Sequence, residues 1–165
     1  MRASVRTLMA ILASMTLLAA VSAGSVIAAG GRSFTVDLTG AAEPQGGDPN
    51  ATGTARITIN PGHETVCYTI SWANASGEDT ISTNDAVWGG HIHMAPAGSN
   101  GGIFVHLFGG PPATMNTNFG TTDSTSGCVD HERADLLKIL RDPELFYVNI
   151  HSGEYPGGII RGQLG

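Results

Sequence analysis

Positive charge is scarce in this chain, where 8 lysines and arginines stand against 14 aspartates and glutamates among 165 residues. A nucleic-acid-binding protein normally presents a basic patch, because contacts to phosphate dominate its affinity. The same shortage argues against a general attraction to anionic membrane surfaces. We therefore predict no nucleic-acid partner and no role at a charged membrane surface.

Long apolar runs are also few, and the one candidate lies at the start of the chain. Arg2 and Arg6 precede an apolar stretch over residues 7–21, and small residues follow it. This is the order of a secretory signal, and the stretch is shorter than the roughly 20 residues that a membrane span needs. Candidate cleavage positions follow three alanines, Ala23, Ala28 and Ala29.

The predicted division is a signal peptide over residues 1–29 and a single domain over residues 32–165. Cleavage would remove two of the eight basic residues and leave a formal charge of −8. We expect the mature domain to be secreted or periplasmic, with no stable membrane span after cleavage.

The chain has only two cysteines, Cys67 and Cys128, and both fall in the part predicted to be exported. A disulfide is the expected state in an oxidising compartment. Closing a loop of about 60 residues would stabilise the fold by roughly 4 kcal/mol in the chain-entropy account. Two buried free thiols are the alternative.

Familiar catalytic motifs are missing. The sequence contains no Gly-x-Ser-x-Gly elbow, no phosphate-binding Gly-x-x-x-x-Gly-Lys loop and no His-Glu-x-x-His helix. Charged residues make up 13% of the chain, whereas glycine occupies 23 positions. Such a weakly charged, turn-rich composition favours strands over helices.

Short runs of β-branched and aromatic residues recur between clusters of turn-forming residues, which is typical of an antiparallel sandwich or barrel. Near residue 60, an Asn-Pro-Gly-His turn predicts a hairpin. One helix is expected over residues 130–140, with Asp130 as N-cap, an apolar stripe of Leu136, Leu137 and Leu140, and Pro143 soon after its end. The predicted strands cover residues 34–38, 54–59, 65–72, 86–93, 103–108, 146–151 and 159–164.

Histidine supplies the most informative pattern, since four of the six histidines lie in strand-like segments: His91, His93, His106 and His151. Residues i and i+2 of a strand share a face, so the first two project together while Ile92 turns the other way. If Ile92, Val105 and Ile150 all face the core, the four histidines share the outer side of the sandwich.

Imidazole is the commonest neutral protein ligand for transition metals, and an all-imidazole set suits copper(II) or zinc better than calcium or magnesium. We therefore predict a metal site, with copper the first choice of cofactor and zinc possible. The alternative is solvated or cross-strand paired imidazoles that bind nothing. His63, in a tight turn, and His131, at a helix start, are expected to be ordinary polar positions. The predicted ligands are His91, His93, His106 and His151.

Four segments of the sequence resemble the CHRD domain, which was first named in chordin. They are FTVDLTGAAEP at 34–44, ATGTA at 51–55, GHIHMAPAGSNG at 90–101 and FYVNIHSGEYPGGIIRGQL at 146–164. The HIHMAPA stretch at 91–97 and the YPGGIIRGQL tail are the most specific, whereas residues 109–127 match poorly. The resemblance covers nearly the whole predicted mature chain.

The resemblance implies an all-β fold, an immunoglobulin-like antiparallel Greek-key β-sandwich with limited similarity to copper-zinc superoxide dismutases. Those enzymes carry a His-x-His pair, two later histidines and an arginine near the copper. Here Arg161 is the candidate arginine. The zinc-binding loop of the enzymes, with its further histidines and aspartate, is missing, so a copper-only site is the most that the resemblance implies.

Three functions remain open from the sequence. The first is a secreted metal-binding domain, and the second is an interaction module for an extracellular protein partner, in which the histidines bind no metal. The third is a dismutase-like enzyme in which Arg161 guides superoxide to copper. The acidic charge of the mature chain weighs against the third.

Overall fold

A computed structural model describes residues 31–76, 87, 89–109 and 119–165. The predicted signal peptide lies outside the described residues. Within the described ranges, no helix has the length and apolar character needed to cross a membrane.

The described residues form eight strands and one α-helix, with short 3₁₀ turns at Gly40–Ala42 and Pro143–Leu145. All strand pairs that these residues form are antiparallel. The elements in chain order are β1 Arg32–Thr39, β2 Thr52–Asn60, β3 Thr65–Ala73, β4 Gly89–Met94, β5 Ile103–Gly109, β6 Asp123–Asp130, α1 Arg133–Arg141, β7 Phe146–His151 and β8 Ile160–Gln163.

The strands follow the order β5-β4-β7-β8-β1-β2-β3-β6 in one sheet. This sheet curls into a nearly closed barrel, or sandwich, because the two edge strands approach each other. The ring of Phe108 on β5 stacks on Tyr68 and Trp72 of β3, with ring centroids 5.8 and 6.2 Å apart. The all-β prediction with one short helix is confirmed.

Alternation along the strands produces the core. On β1 the exposed and buried side chains alternate, so Phe34, Val36 and Leu38 point inward. They meet fully buried side chains of neighbouring strands, such as Ile57 and Ile70. Burial of this apolar surface is the main stabilising contribution to the fold.

Strand β6 lies outside every segment that was predicted as a strand. It pairs with β3 along its whole length, in a register that places Cys128 directly opposite Cys67. The two cysteines form a disulfide, which confirms the predicted bridge. The strand escaped prediction because it is an edge strand with no buried side chain, so it lacks the apolar alternation that marks a half-buried strand.

The helix begins later than predicted. Asp130 belongs to β6, where it pairs with Thr65, and Glu132 occupies the N-cap position without a side-chain capping bond. The side chains that α1 buries completely are Leu136 and Ile139, whereas Leu137 is 38% exposed. The expected leucine stripe was therefore partly wrong, because Ile139 lies on the buried face with Leu136 and Leu140, whereas Leu137 does not.

Strands β4 and β7 are buried on both faces, as is β8 beside them, and Met94 is the one exposed residue of these three strands. Their inner faces contribute Ile92, Val148 and Ile150 to the core. Their outer faces carry polar side chains that other segments cover. Burial on both sides of this strand pair creates the environment of the candidate site.

Candidate metal centre

His91, His93 and His151 lie on the same face of the sheet, on two adjacent strands. In the β4–β7 register, His91 lies opposite Asn149 and His93 opposite Tyr147. The interleaved residues Ile92, Val148 and Ile150 all lie in the core. The predicted assignment of faces is therefore confirmed.

This outer face is covered, which the sequence did not predict. The exposed fractions of His91, His93 and His151 are 2%, 7% and 5%. Part of the cover is the β4–β5 connection, whose Gly101 carbonyl lies 3.0 Å from Nδ1 of His93. The three imidazoles therefore lie in a buried site and not on a solvated surface.

One ring nitrogen from each of these histidines lies within 4.8 Å of the other two. Three imidazole nitrogens bonded to one ion at about 2.0–2.1 Å each lie roughly 3.3–3.6 Å from one another in tetrahedral or trigonal geometry. A movement of roughly 0.7 Å by each nitrogen would therefore bring all three to bonding distance. The group His91, His93 and His151 could bind a metal ion.

Backbone carbonyls set the tautomers of two of these imidazoles. Nδ1 of His93 lies 3.0 Å from the Gly101 carbonyl oxygen, and Nδ1 of His151 lies 3.0 Å from the Pro156 carbonyl oxygen. A carbonyl oxygen only accepts, so Nδ1 must donate and Nε2 carries the lone pair. Nε2 of His93 is buried. An N–H held by a carbonyl is the usual support behind a metal-bound histidine.

Burial also keeps these histidines neutral. Desolvation, assisted by the neighbouring imidazoles, lowers the pKa of His91 to about 3. Desolvation and then His93 lower the pKa of His151 to about 4, against the opposing hydrogen bond to Pro156. The pKa of His93 is lowered as well, chiefly by burial. Neutral imidazoles retain the lone pair that a metal requires.

His106 is placed differently from the other three predicted ligands. It lies directly opposite His91 in the β4–β5 register, with the two rings perpendicular and their centroids 4.8 Å apart. The side chain is exposed, and it is not part of the converging group. His63 is exposed in the β2–β3 turn, and Nε2 of His131 lies 3.6 Å from Asp135 on α1.

Arg161 lies on the same outer face, opposite Asn149 in the β7–β8 register. Its Nε donates to the Ala42 carbonyl at 2.8 Å, and its Nη1 donates to the Ser99 carbonyl at 3.1 Å. The side chain is 2% exposed, and Nε lies 3.7 Å from Oε2 of Glu43. The arginine is therefore enclosed and paired with a carboxylate.

Two residues of this site were not predicted from the sequence, Tyr147 and Glu43. Tyr147 stacks on His93, with centroids 4.9 Å apart and the planes within 4° of parallel. Tyr147 lies four residues before His151 on β7, and this even spacing could have placed it on the histidine face.

Glu43 receives a hydrogen bond from the Asn149 amide at 3.4 Å, and burial raises the pKa of Glu43 against the lowering effect of Arg161. No local pattern marks Glu43, because the turn after β1 brings it to the site.

Comparison with known proteins gives one match. A protein-family model, the CHRD domain, matches residues 34–164. Searches of the curated proteins and of the solved structures found no match. The matched range includes every strand that contributes to the histidine site, and we conclude that the chain belongs to the CHRD domain family.

Proposed function

We propose that this CHRD domain is an exported protein that binds one copper ion through His91, His93 and His151. The observation that carries the proposal is the convergence of three buried imidazole nitrogens within 4.8 Å of one another. A single buried histidine is usually accommodated in a core by the hydrogen bonds of its ring nitrogens. Three buried histidines on one face, each with a lowered pKa, form a set of neutral nitrogen ligands for a metal ion.

The donor set favours copper, with zinc as the second choice. Both cysteines are joined in the disulfide and offer no thiolate. The nearby carboxylate, Glu43, already contacts Arg161 and Asn149. An all-imidazole site binds copper(II) more tightly than zinc in the usual order of divalent affinities. Bound copper would supply one-electron redox chemistry at this position.

His106 is proposed as an auxiliary ligand rather than a core one. Its position opposite His91 keeps its ring beside the site, at a centroid distance of 4.8 Å. Because it is exposed, it would have to turn toward the other three to reach a shared ion. We therefore expect it to contribute less than each buried histidine.

Export is supported by two independent features. The first 29 residues have the order of a signal peptide, with Arg2 and Arg6 before an apolar run. The Cys67–Cys128 disulfide suits an oxidising compartment. We propose a secreted or periplasmic location.

Metal binding without catalysis is better supported than superoxide dismutase activity. An arginine that guides an anion acts through an accessible positive charge. Here Arg161 is 2% exposed and lies 3.7 Å from the Glu43 carboxylate, which offsets its charge. If the domain were an interaction module without metal, nothing would explain why three buried histidines converge.

The test is a titration of metal-free protein with copper(II) and, separately, with zinc, read by calorimetry and by metal analysis after desalting. We expect about one copper per chain and weaker binding of zinc. The double variant His91→Ala/His93→Ala should lose this binding, while the control His63→Ala, at an exposed turn position, should retain it. Stoichiometric copper in the double variant would overturn the proposal.

A further inference from the structure

We propose that Arg161 is a positioning residue of the metal centre, which holds Tyr147 against His93 and fixes two loops over the histidines. This inference rests on the proposed metal site but assigns the arginine a different task from anion guidance. It follows from the contacts of two guanidinium nitrogens and of one guanidinium face.

Arg161 joins two segments that lie far apart in the sequence. Nε donates to the carbonyl of Ala42, in the 3₁₀ turn after β1, at 2.8 Å. Nη1 donates to the carbonyl of Ser99, in the β4–β5 connection, at 3.1 Å. The β4–β5 connection also provides the Gly101 carbonyl that holds Nδ1 of His93. A single side chain therefore fixes the loop on which the orientation of His93 depends.

The flat face of the guanidinium makes a second link to the same histidine. Its central carbon lies 4.0 Å from the centroid of the Tyr147 ring. The Tyr147 ring in turn stacks on His93 at 4.9 Å, almost parallel to it. The Tyr147 hydroxyl accepts a hydrogen bond from the Gly101 amide at 3.3 Å. Arg161 and Tyr147 thus restrain His93 through its ring face and through its hydrogen-bond partner.

The pairing of Arg161 with the carboxylate of Glu43 suits a positioning role. Glu43 faces the guanidinium at 3.7 Å, and the two side chains are 2% and 3% exposed. A buried, paired charge exerts little attraction on an anion in solvent, but its fixed hydrogen bonds gain strength from the low local dielectric. Lysine could keep the charge but could not reproduce two directed hydrogen bonds and a planar stacking face.

The inference predicts that Arg161→Lys binds one copper per chain but holds it less firmly. Release of copper to a chelator should be faster by about 10-fold or more, the usual size of an outer-shell effect. The copper(II) electron paramagnetic resonance spectrum should also change, because the angle of one imidazole changes. The matched control is Arg56→Lys, an exposed arginine on β2, which should behave as the original protein.

A second variant keeps the test decisive if Arg161→Lys folds poorly, and a metal-free measurement tests the positioning contact without copper. Tyr147→Leu removes the intervening ring and should reproduce both effects on bound copper. In metal-free Arg161→Lys, the Gly101 amide should exchange its hydrogen faster than in the original protein, because its partner Tyr147 is released.

The outcomes separate the two proposals. If the original protein binds no copper, the proposed function fails, and hydrogen exchange at Gly101 still decides whether Arg161 restrains the loop. If copper binds and both variants match the original protein in release rate, spectrum and exchange, the positioning role is overturned. Faster release in Arg56→Lys as well would also overturn it, since the effect would then not be specific to Arg161.

Discussion

His91 and His106 lie directly opposite each other on β4 and β5, yet one is 2% exposed and the other faces solvent. Because only His91 belongs to the converging group, His91→Ala should weaken copper binding far more than His106→Ala does. We expect at least a 100-fold difference, about 3 kcal/mol in binding free energy. Competition titrations with a chelator would measure it. Equal losses in the two variants would place His106 among the core ligands.

The metal-free protein should lose stability as the pH falls below about 6.5. The folded-state pKa values of His91 and His151, about 3 and about 4, lie below the ordinary value of 6.5. Between these limits the unfolded chain binds protons that the folded chain does not, so the free energy of unfolding decreases with decreasing pH. From pH 6.5 to pH 5 the loss should be roughly 1.6 kcal/mol for each histidine.

Urea unfolding at a series of pH values would measure this dependence. The matched variant is His91→Gln/His151→Gln, which removes two of the three histidines with a lowered pKa and should reduce the pH dependence over this range. An unchanged slope in that variant would show that other groups cause the pH dependence.

Loss of the disulfide should destabilise the fold without affecting the metal centre. Cys67 and Cys128 are separated by 61 residues and join β3 to the edge strand β6. The chain-entropy account predicts a loss of roughly 4 kcal/mol in Cys67→Ser/Cys128→Ser. Thermal unfolding should record a lower midpoint, while copper stoichiometry stays at one because the histidines lie on β4 and β7. Copper binding that disappears in a folded variant would contradict this separation.

Gly158 should tolerate no side chain. Its φ is +136°, and an added Cβ would collide with the carboxylate of Glu43. Gly158→Ala should therefore lower the free energy of unfolding by about 1–3 kcal/mol, the usual range for backbone strain. Gly102→Ala is the control, because nothing lies within 4 Å of its added Cβ. Denaturant unfolding compares the two, and equal stability would argue against the observed packing around Glu43.

Much of the fold follows from period-two alternation, which placed seven strands and assigned the faces of the histidines. It failed for β6, an edge strand that has no buried side chain and pairs with β3 through its backbone and a disulfide. The N-cap chemistry of Asp130 predicted the wrong start for α1, since Asp130 pairs with Thr65 in strand β6. The side-chain chemistry of Asp130 alone does not reveal whether its backbone begins the helix or pairs with β3.

The candidate site was predictable as a set of residue types but not as a buried centre. Alternation brings His91, His93 and His151 to one face, whereas their burial depends on the paths of the β1–β2 and β4–β5 connections. Those paths are set by long-range contacts such as Arg161 with Ala42 and Ser99. No periodicity within a strand encodes such contacts, so the cover over the histidines became visible only in three dimensions.

The central claim is that three imidazoles share one ion, and anomalous X-ray diffraction at the copper absorption edge tests it most directly. Crystals of the protein grown with one equivalent of copper(II) should show a single strong peak, about 2 Å from one ring nitrogen each of His91, His93 and His151. A peak elsewhere on the protein, or no peak in crystals that contain the intact domain, would contradict the account.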